Sequence, residues 1–204
     1  MVAEANIRRT SPIMFSYMVP DVESSDIAID PQSHVRAPMP GQKPQPFQVE
    51  AGTAIYTLGV AIDVDKIGRY HDENGKIVEL GDRVKRVEVA FKALAQLVEG
   101  LMYGAKKARY LPIYEVVGGV AAVSRPIPFM VSPPRMSREY NYITKTVERA
   151  GSYIKLLSDV GEAISILYMD NEGVVKEPPK AEGVEVSSVK SVAEMIDRIL
   201  GMVR

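Results

Sequence analysis

The sequence predicts an α+β fold, an antiparallel sheet with helices on one face. Segments rich in β-branched residues sit beside segments whose apolar residues step by three and four. The two kinds do not alternate as regular βαβ units. With 204 residues, 46% of them hydrophobic, the chain can bury a sizeable core.

Taken in order, Ile13–Val19 (IMFSYMV) is an apolar and aromatic run closed by Pro20-Asp21 and reads as a short strand. Val22–Pro46 carries five prolines and Gly41 and reads as a loop. Phe47–Val64 reads as one long strand or two, on Val49, Thr53, Ile55, Thr57, Val60 and Ile62, with Gly52 and Gly59 as bulge positions. Gly68–Gly81 is polar and turn-rich. Asp82 is the expected N-cap of a helix over Arg83–Tyr103. Its apolar face is Val84, Val87, Phe91, Leu94, Val98 and Leu101, and Gly104 is its expected C-cap. Leu111–Val123 reads as a strand and Ser124–Arg138 as a proline-rich loop. Arg138–Leu157 reads as a helix weakened at Gly151. Glu162–Met169 is a strong strand, and Asp170–Gly173 with Val174-Val175 suggests a hairpin. A short strand is expected at Val184–Val186. Ser191 and Glu194 have capping-box spacing before a last helix with Val192, Met195, Ile196, Ile199 and Leu200 on one face. The whole chain, 1–204, is read as one domain with loop insertions at 22–46 and 124–138.

Composition excludes several chemistries. There is no cysteine, so disulfides, thiolate metal sites and a cysteine nucleophile are ruled out. With only His34 and His71, a histidine-rich metal site is ruled out too. No metal and no cofactor is expected. Walker-type and G-x-G-x-x-G loops are missing, and Gly118-Gly119 is too short to replace them. The first residues hold no apolar signal core, and no apolar run reaches the ~20 residues of a membrane span, so no membrane partner and a cytoplasmic location are expected.

The net charge is −1, but charge is segregated. Arg83 to Arg109 holds seven Lys/Arg against Glu88 and Glu99, whereas Asp159 to the end holds nine acids against five bases. A local basic face binds a polyanion whatever the net charge, because fields are screened within about 10 Å. The densest part is Gly104-Ala105-Lys106-Lys107-Ala108-Arg109-Tyr110-Leu111-Pro112. Cations at a helix C-terminus complement its dipole. Three of them with a tyrosine exceed that task and suit phosphates and bases, so Lys106, Lys107, Arg109 and Tyr110 are candidate nucleic-acid contacts. Arg8-Arg9-Thr10-Ser11 reads either as a solvated terminus or as a phosphate contact through Arg8 and Arg9. His34 and Arg36, at i and i+2 of an extended segment, share one side and fit phosphate and base contacts. A catalytic role for His34, with Asp21, Asp26 or Asp30 as partner, has no supporting spacing. Phe129 and Met130 read as a buried loop anchor, or else as a subunit contact.

Together these pieces resemble the guide-RNA-binding backbone subunit of archaeal type I-A CRISPR effector (Cascade) complexes, the DevR-type autoregulator family. The matching pieces are Arg8-Arg9-Thr10-Ser11 leading to Tyr17-Met18-Val19-Pro20; His34-Val35-Arg36; Ala54-Ile55-Tyr56-Thr57; the helix from Arg83; Gly104 to Pro112; Pro128-Phe129-Met130; and Asn171-Glu172-Gly173. The resemblance implies a modified RRM, or ferredoxin-like, core with inserted loops. It implies a helical homo-oligomer along guide RNA, contacts with other effector subunits and, through the guide, with target DNA. It implies binding and no enzyme activity. Two other functions remain open on the residues: a CRISPR RNA-processing endoribonuclease using His34, and an assembly paralogue or split half that binds no RNA. Family members carry a further N-terminal segment, including a core strand, ahead of the Arg-Arg-Thr-Ser piece. The expectation here is that another chain covers the sheet edge this leaves open.

Overall fold

The computed structural model describes residues 10–21, 28–36, 40–41, 43–100, 114–135, 141–173 and 175–203. In chain order these form β1 (Ile13–Phe15), β2 (Val19–Pro20), β3 (Ala28–Arg36), β4 (Gln45–Thr53), β5 (Tyr56–Thr57), β6 (Val60–Ile62), a 3₁₀ turn (Val64–Lys66), β7 (Arg69–His71) and β8 (Ile77–Glu79). Then follow α1 (Arg83–Glu99), β9 (Gly118–Arg125), α2 (Tyr142–Leu156), β10 (Ala163–Asp170), β11 (Val184–Ser188) and α3 (Val192–Val203). The fold class is α+β.

The core is built on a three-stranded sheet in the order β11-β10-β9. β10 runs antiparallel to β9, with Ile166 opposite Ala122, and parallel to β11, with Ile166 opposite Val186. Side chains alternate along a strand, so β10 divides its apolar residues between two faces. Ile164 and Ile166 pack with Val147 and Ala150 of α2. Leu167 and Met169 pack with Met195 of α3 and with Val189. The sheet is therefore mixed rather than antiparallel, and helices cover both faces rather than one. The unbroken apolar run ISILYM is the local cause, because a strand buried on both sides loses polar alternation.

α1 packs on α3 through a second cluster of Ile67, Val87, Phe91, Ile196 and Leu200. α3 thus stands between α1 and the sheet, whereas the sequence put α1 directly on the sheet. Val87 and Phe91 are 3% exposed, Leu94 and Val98 are half-buried, and Val84 is 55% exposed. The buried stripe is narrower than the sequence implied. α1 ends at Glu99, earlier than the expected Tyr103, while Leu101 and Gly104 lie outside the described residues. Asp82 stands at the N-cap position, but its carboxylate accepts no helix N–H and pairs with Arg86 Nε at 2.7 Å.

The expected strand Phe47–Val64 is three strands, each paired antiparallel with a different upstream partner: β4 with β3, β5 with β2, and β6 with β1. None of them joins the central sheet. Residues 28–36, read as loop with the rest of the proline-rich stretch 22–46, form a nine-residue strand. Pro31 is tolerated because both strands of a two-stranded ribbon are edge strands. The partners of β10 among the described residues are β9 and β11, while Val174 of the expected hairpin lies outside them.

α2 starts at Tyr142, where Asn141 Oδ1 accepts the N–H of Thr144 at 3.0 Å. The proline-rich stretch is fastened to it. Buried Thr146 Oγ1 accepts Ser132 N–H at 3.0 Å and donates to Tyr142 O at 2.7 Å, and Glu162 Oε2 accepts Ile127 N–H at 3.0 Å. Burial pushes the Tyr142 phenol up to about 12. Gly151 does not break α2. A Cβ there would lie 2.8 Å from Ala181 Cβ, so its glycine serves close approach of the segment before β11. Gly151→Ala gains up to about 1 kcal/mol in helix propensity and meets an overpacking cost of about 1–3 kcal/mol. A net loss of about 1 kcal/mol is expected in urea unfolding. A gain in stability would show that the Ala181 segment yields freely.

Candidate nucleic-acid interface

The β3–β4 ribbon positions the one candidate histidine. Its register runs from Ala28 opposite Thr53 to Arg36 opposite Gln45, and the two strands pack chiefly on each other. Along β3, side chains at i and i+2 share a face. Gln32 Nε2 donates to Asp30 Oδ2 at 2.9 Å, and this leaves Gln32 Oε1 to accept from His34 Nε2 at 3.3 Å. The result is a polar row of Asp30, Gln32 and His34 on one face. The other face shows Ile29 and Val35, 63% and 66% exposed. The spacing D-x-Q-x-H was legible in the sequence, but only strand geometry made it a row. Arg36 stands at the next even register position, ending the strand. The structure thus brings His34 and Arg36 onto one extended segment. Arg8, Arg9, Lys106, Lys107, Arg109 and Tyr110 lie outside the described residues.

Sequence reasoning missed an apolar surface. Met14, Phe15, Tyr17, Met18, Val19, Tyr56 and Val60 are all at least 38% exposed, Tyr17 at 92%. They follow one another along the paired segments β1, β2, β5 and β6. Ser16 holds that ribbon together, its N–H donating to Gly59 O at 2.9 Å and its Oγ accepting Gly59 N–H at 2.8 Å. The available signal is the lack of alternation in IMFSYMV, which by itself reads as core. Exposed apolar patches of this kind mark contact surfaces.

The described residues on either side of 101–113 make defined contacts. Gly100 closes α1, and Tyr114 Oη donates to Gly100 O at 3.4 Å. Asn171 Nδ2 donates to Val116 O at 3.0 Å. These residues, with Glu99, Lys190 and Ser191, line a cleft of about 510 Å³. Ser191 and Glu194 form the expected cap: Ser191 Oγ accepts Glu194 N–H at 3.1 Å, and Glu194 Oε2 accepts Lys190 N–H at 2.8 Å. The Lys190 N–H, with Arg198 beside it, holds the Glu194 carboxyl below the usual carboxylate range.

On the opposite side, Phe129 is half-buried, with Tyr153 and the Arg149 guanidinium each 5.5 Å from its ring centre. Met130 is 78% exposed. Of the expected loop anchor, only Phe129 is seated. Among the described residues no group of three or more His, Asp or Glu could hold a metal ion. Nor is any helix among them long and apolar enough to cross a membrane.

For this α+β body with its exposed two-stranded ribbon, comparison with known proteins gives the family. Residues 1–147 match the model of DevR, the CRISPR-associated negative auto-regulator DevR/Csa2, and the chain belongs to this family. Two relatives come from Saccharolobus solfataricus. The CRISPR-associated aCascade subunit Cas7/Csa2 2 is 32% identical over 193 residues, covering 90% of this chain and 56% of that protein. The CRISPR-associated protein Cas7/Csa2 1 is 27% identical over 181 residues, covering 84% and 56%. The chain thus spans just over half the length of the curated relatives it matches.

Proposed function

We propose that this chain is a guide-RNA-binding backbone subunit of a CRISPR effector complex, assembling in several copies along one RNA for recognition of target DNA through the guide. The observation that carries the reading is the 32% identity, over 90% of this chain, to a protein named as an aCascade subunit. Its partners are guide RNA, further copies of itself and other effector subunits, in the cytoplasm, and it binds rather than cuts. A modified RRM-like core belongs to the same reading. Because helices cover both faces of β9–β10–β11, the RNA path runs over loops and ribbons, not over an open sheet face. Arg8, Arg9, Lys106, Lys107 and Arg109 contact phosphates, Tyr110 stacks, and His34 and Arg36 line the path.

The test is binding of the full chain to single-stranded RNA across a salt series. Replacing Lys106, Lys107 and Arg109 together by Ala is expected to weaken binding equally for all sequences. The salt slope should fall by roughly two units, at about 0.7 for each phosphate that is no longer neutralised. An unchanged slope would leave these cations as decoration of the fold, and a folded chain with no RNA affinity would sink the reading.

His34→Ala separates binding from catalysis. It is expected to lower RNA affinity about fivefold or more, since one stacked base is worth about 1–3 kcal/mol. Cleavage of repeat RNA that disappears in the variant would make His34 catalytic instead.

A further inference from the structure

We infer that Asp30 and Gln32 are positioning residues for His34. A carboxylate–amide relay along β3 fixes which ring nitrogen of His34 carries the proton and how its ring stands. The inference rests on the RNA-binding reading above, in which His34 lines the RNA path.

The relay follows from what each group can do. An ionised carboxylate only accepts, a glutamine amide has one donating and one accepting end, and a neutral imidazole has one nitrogen of each kind. Gln32 Nε2 donates to Asp30 Oδ2 at 2.9 Å, so the donating end of the amide is turned toward Asp30. The accepting end, Oε1, then meets His34 Nε2 at 3.3 Å. An amide oxygen cannot donate, so Nε2 carries the hydrogen and the neutral ring is held as the Nε2–H tautomer. Turning the amide over would set Oε1 against the carboxylate, acceptor against acceptor. It would also offer His34 a donor in place of an acceptor, which selects the other tautomer. The Asp30 carboxylate thus dictates the proton position on a ring four residues along the chain.

The ribbon supplies the geometry. Asp30, Gln32 and His34 stand at i, i+2 and i+4 of an extended strand, where side chains share one face about 7 Å apart. The long glutamine occupies the middle place, from which its one amide reaches both neighbours. The β4 residues paired with the row by register are Ala51, Val49 and Phe47. None of these residue types carries a hydrogen-bonding side-chain group, so the paired positions offer the amide no competing partner. His34 is half-buried and Asp30 exposed, so the relay runs from the open end of the row inward. A ring already held by its edge loses less freedom when a base stacks on it than a ring that turns.

Charge alone and positioning predict opposite signs. Asp30→Asn removes a negative charge beside a polyanion path, and by charge alone that tightens RNA binding. Asparagine offers a donor as well as an acceptor, so it no longer holds the Gln32 amide one way round. If the relay positions His34, Asp30→Asn weakens binding of a labelled single-stranded oligouridylate roughly twofold to tenfold, the worth of one hydrogen bond. Gln32→Leu breaks the relay with no change of charge and should weaken binding by a similar factor. Asp30→Glu keeps a carboxylate and should bind more tightly than Asp30→Asn, again against the order that charge gives. Nitrogen NMR of the imidazoles reads the tautomer without RNA. The chain has only two histidines, and His71 on β7 serves as the internal reference. At about pH 8.5, where histidine is neutral, His34 should show the Nε2–H form alone in the unmodified chain. Both tautomers should appear in Asp30→Asn and in Gln32→Leu, with His71 unchanged. Asp30→Asn is nearly isosteric and stands in if Gln32→Leu does not fold. Unchanged or tighter RNA binding in either variant overturns the inference, as does a His34 spectrum that neither variant alters. An unmodified, folded chain that binds no oligouridylate sinks the RNA reading instead, and the nitrogen spectra alone then decide whether the relay sets the His34 ring.

Discussion

Phe91→Ala is expected to cost about 3–5 kcal/mol of folding stability. Phe91 is 3% exposed and sits where α1, α3 and the turn at Ile67 meet, in the cluster with Val87, Ile196 and Leu200. Truncation removes a ring that α3 cannot move in to replace. The other side of α3 is tied to the sheet, with Met195 packed against Leu167 and Met169. The cavity therefore stays open, and the loss lies at the upper end for a large-to-small change. Against a typical total of about 5–15 kcal/mol this is a fifth or more of the stability, and the melting temperature should fall by roughly 6–20 °C. Val84→Ala is the control. Its side chain belongs to the same apolar stripe by sequence spacing but is 55% exposed, so the change should stay within about half a kcal/mol. Denaturant melts of the two variants decide it. A Phe91→Ala loss below about 1 kcal/mol would mean that α1 and α3 do not share a core.

The contrast between Phe91 and Val84 also shows which parts of the fold were legible in the sequence. Local signals held where local physics decides. The helix from Arg83, the Ser191–Glu194 cap and the strand at β10 each rest on spacing within a few residues. Pairing was not legible, because a strand's partner is chosen by distant packing and not by its own pattern. Phe47–Val64 looks like one strand or two, yet it is divided among three upstream partners. ISILYM read as a strong strand of a sheet covered on one face, and that α2 and α3 cover both faces depends on residues far away in sequence. Five prolines hid β3, since proline excludes a central strand but not an edge. At the site, the spacing of His34 and Arg36 was enough to put them on one extended segment. Asp30 and Gln32 were missed as members of the same row, because polar residues at alternate positions look like loop until a partner strand is known.

That row makes the β3–β4 ribbon the place to expect the largest functional effect. Its two nine-residue strands pack chiefly on each other, and Ile29 and Val35 lie open on one face. A lone two-stranded ribbon is marginal in water, so its own folding adds little to the stability of the body. Ala28 is paired with Thr53, so the two ends of the ribbon lie about 5 Å apart and a short Gly-Ser turn can join them. Replacing residues 28–53 by such a turn is expected to leave the thermal unfolding of the helix-and-sheet body within a few degrees of the full chain. The same change removes His34, Arg36 and both faces of the ribbon at once. RNA affinity should then fall roughly tenfold or more, the loss of at least one stacked base with its phosphate contact. Higher-order complexes formed on RNA should disappear, because each bound copy raises the effective concentration of the next only while copies still touch along the strand. Sedimentation with and without RNA measures both effects. A body that melts with the ribbon removed would make the ribbon part of the core. A stable body that still assembles on RNA would move the interface away from β3 and β4, toward the exposed Phe15, Tyr17 and Tyr56 of the neighbouring ribbon.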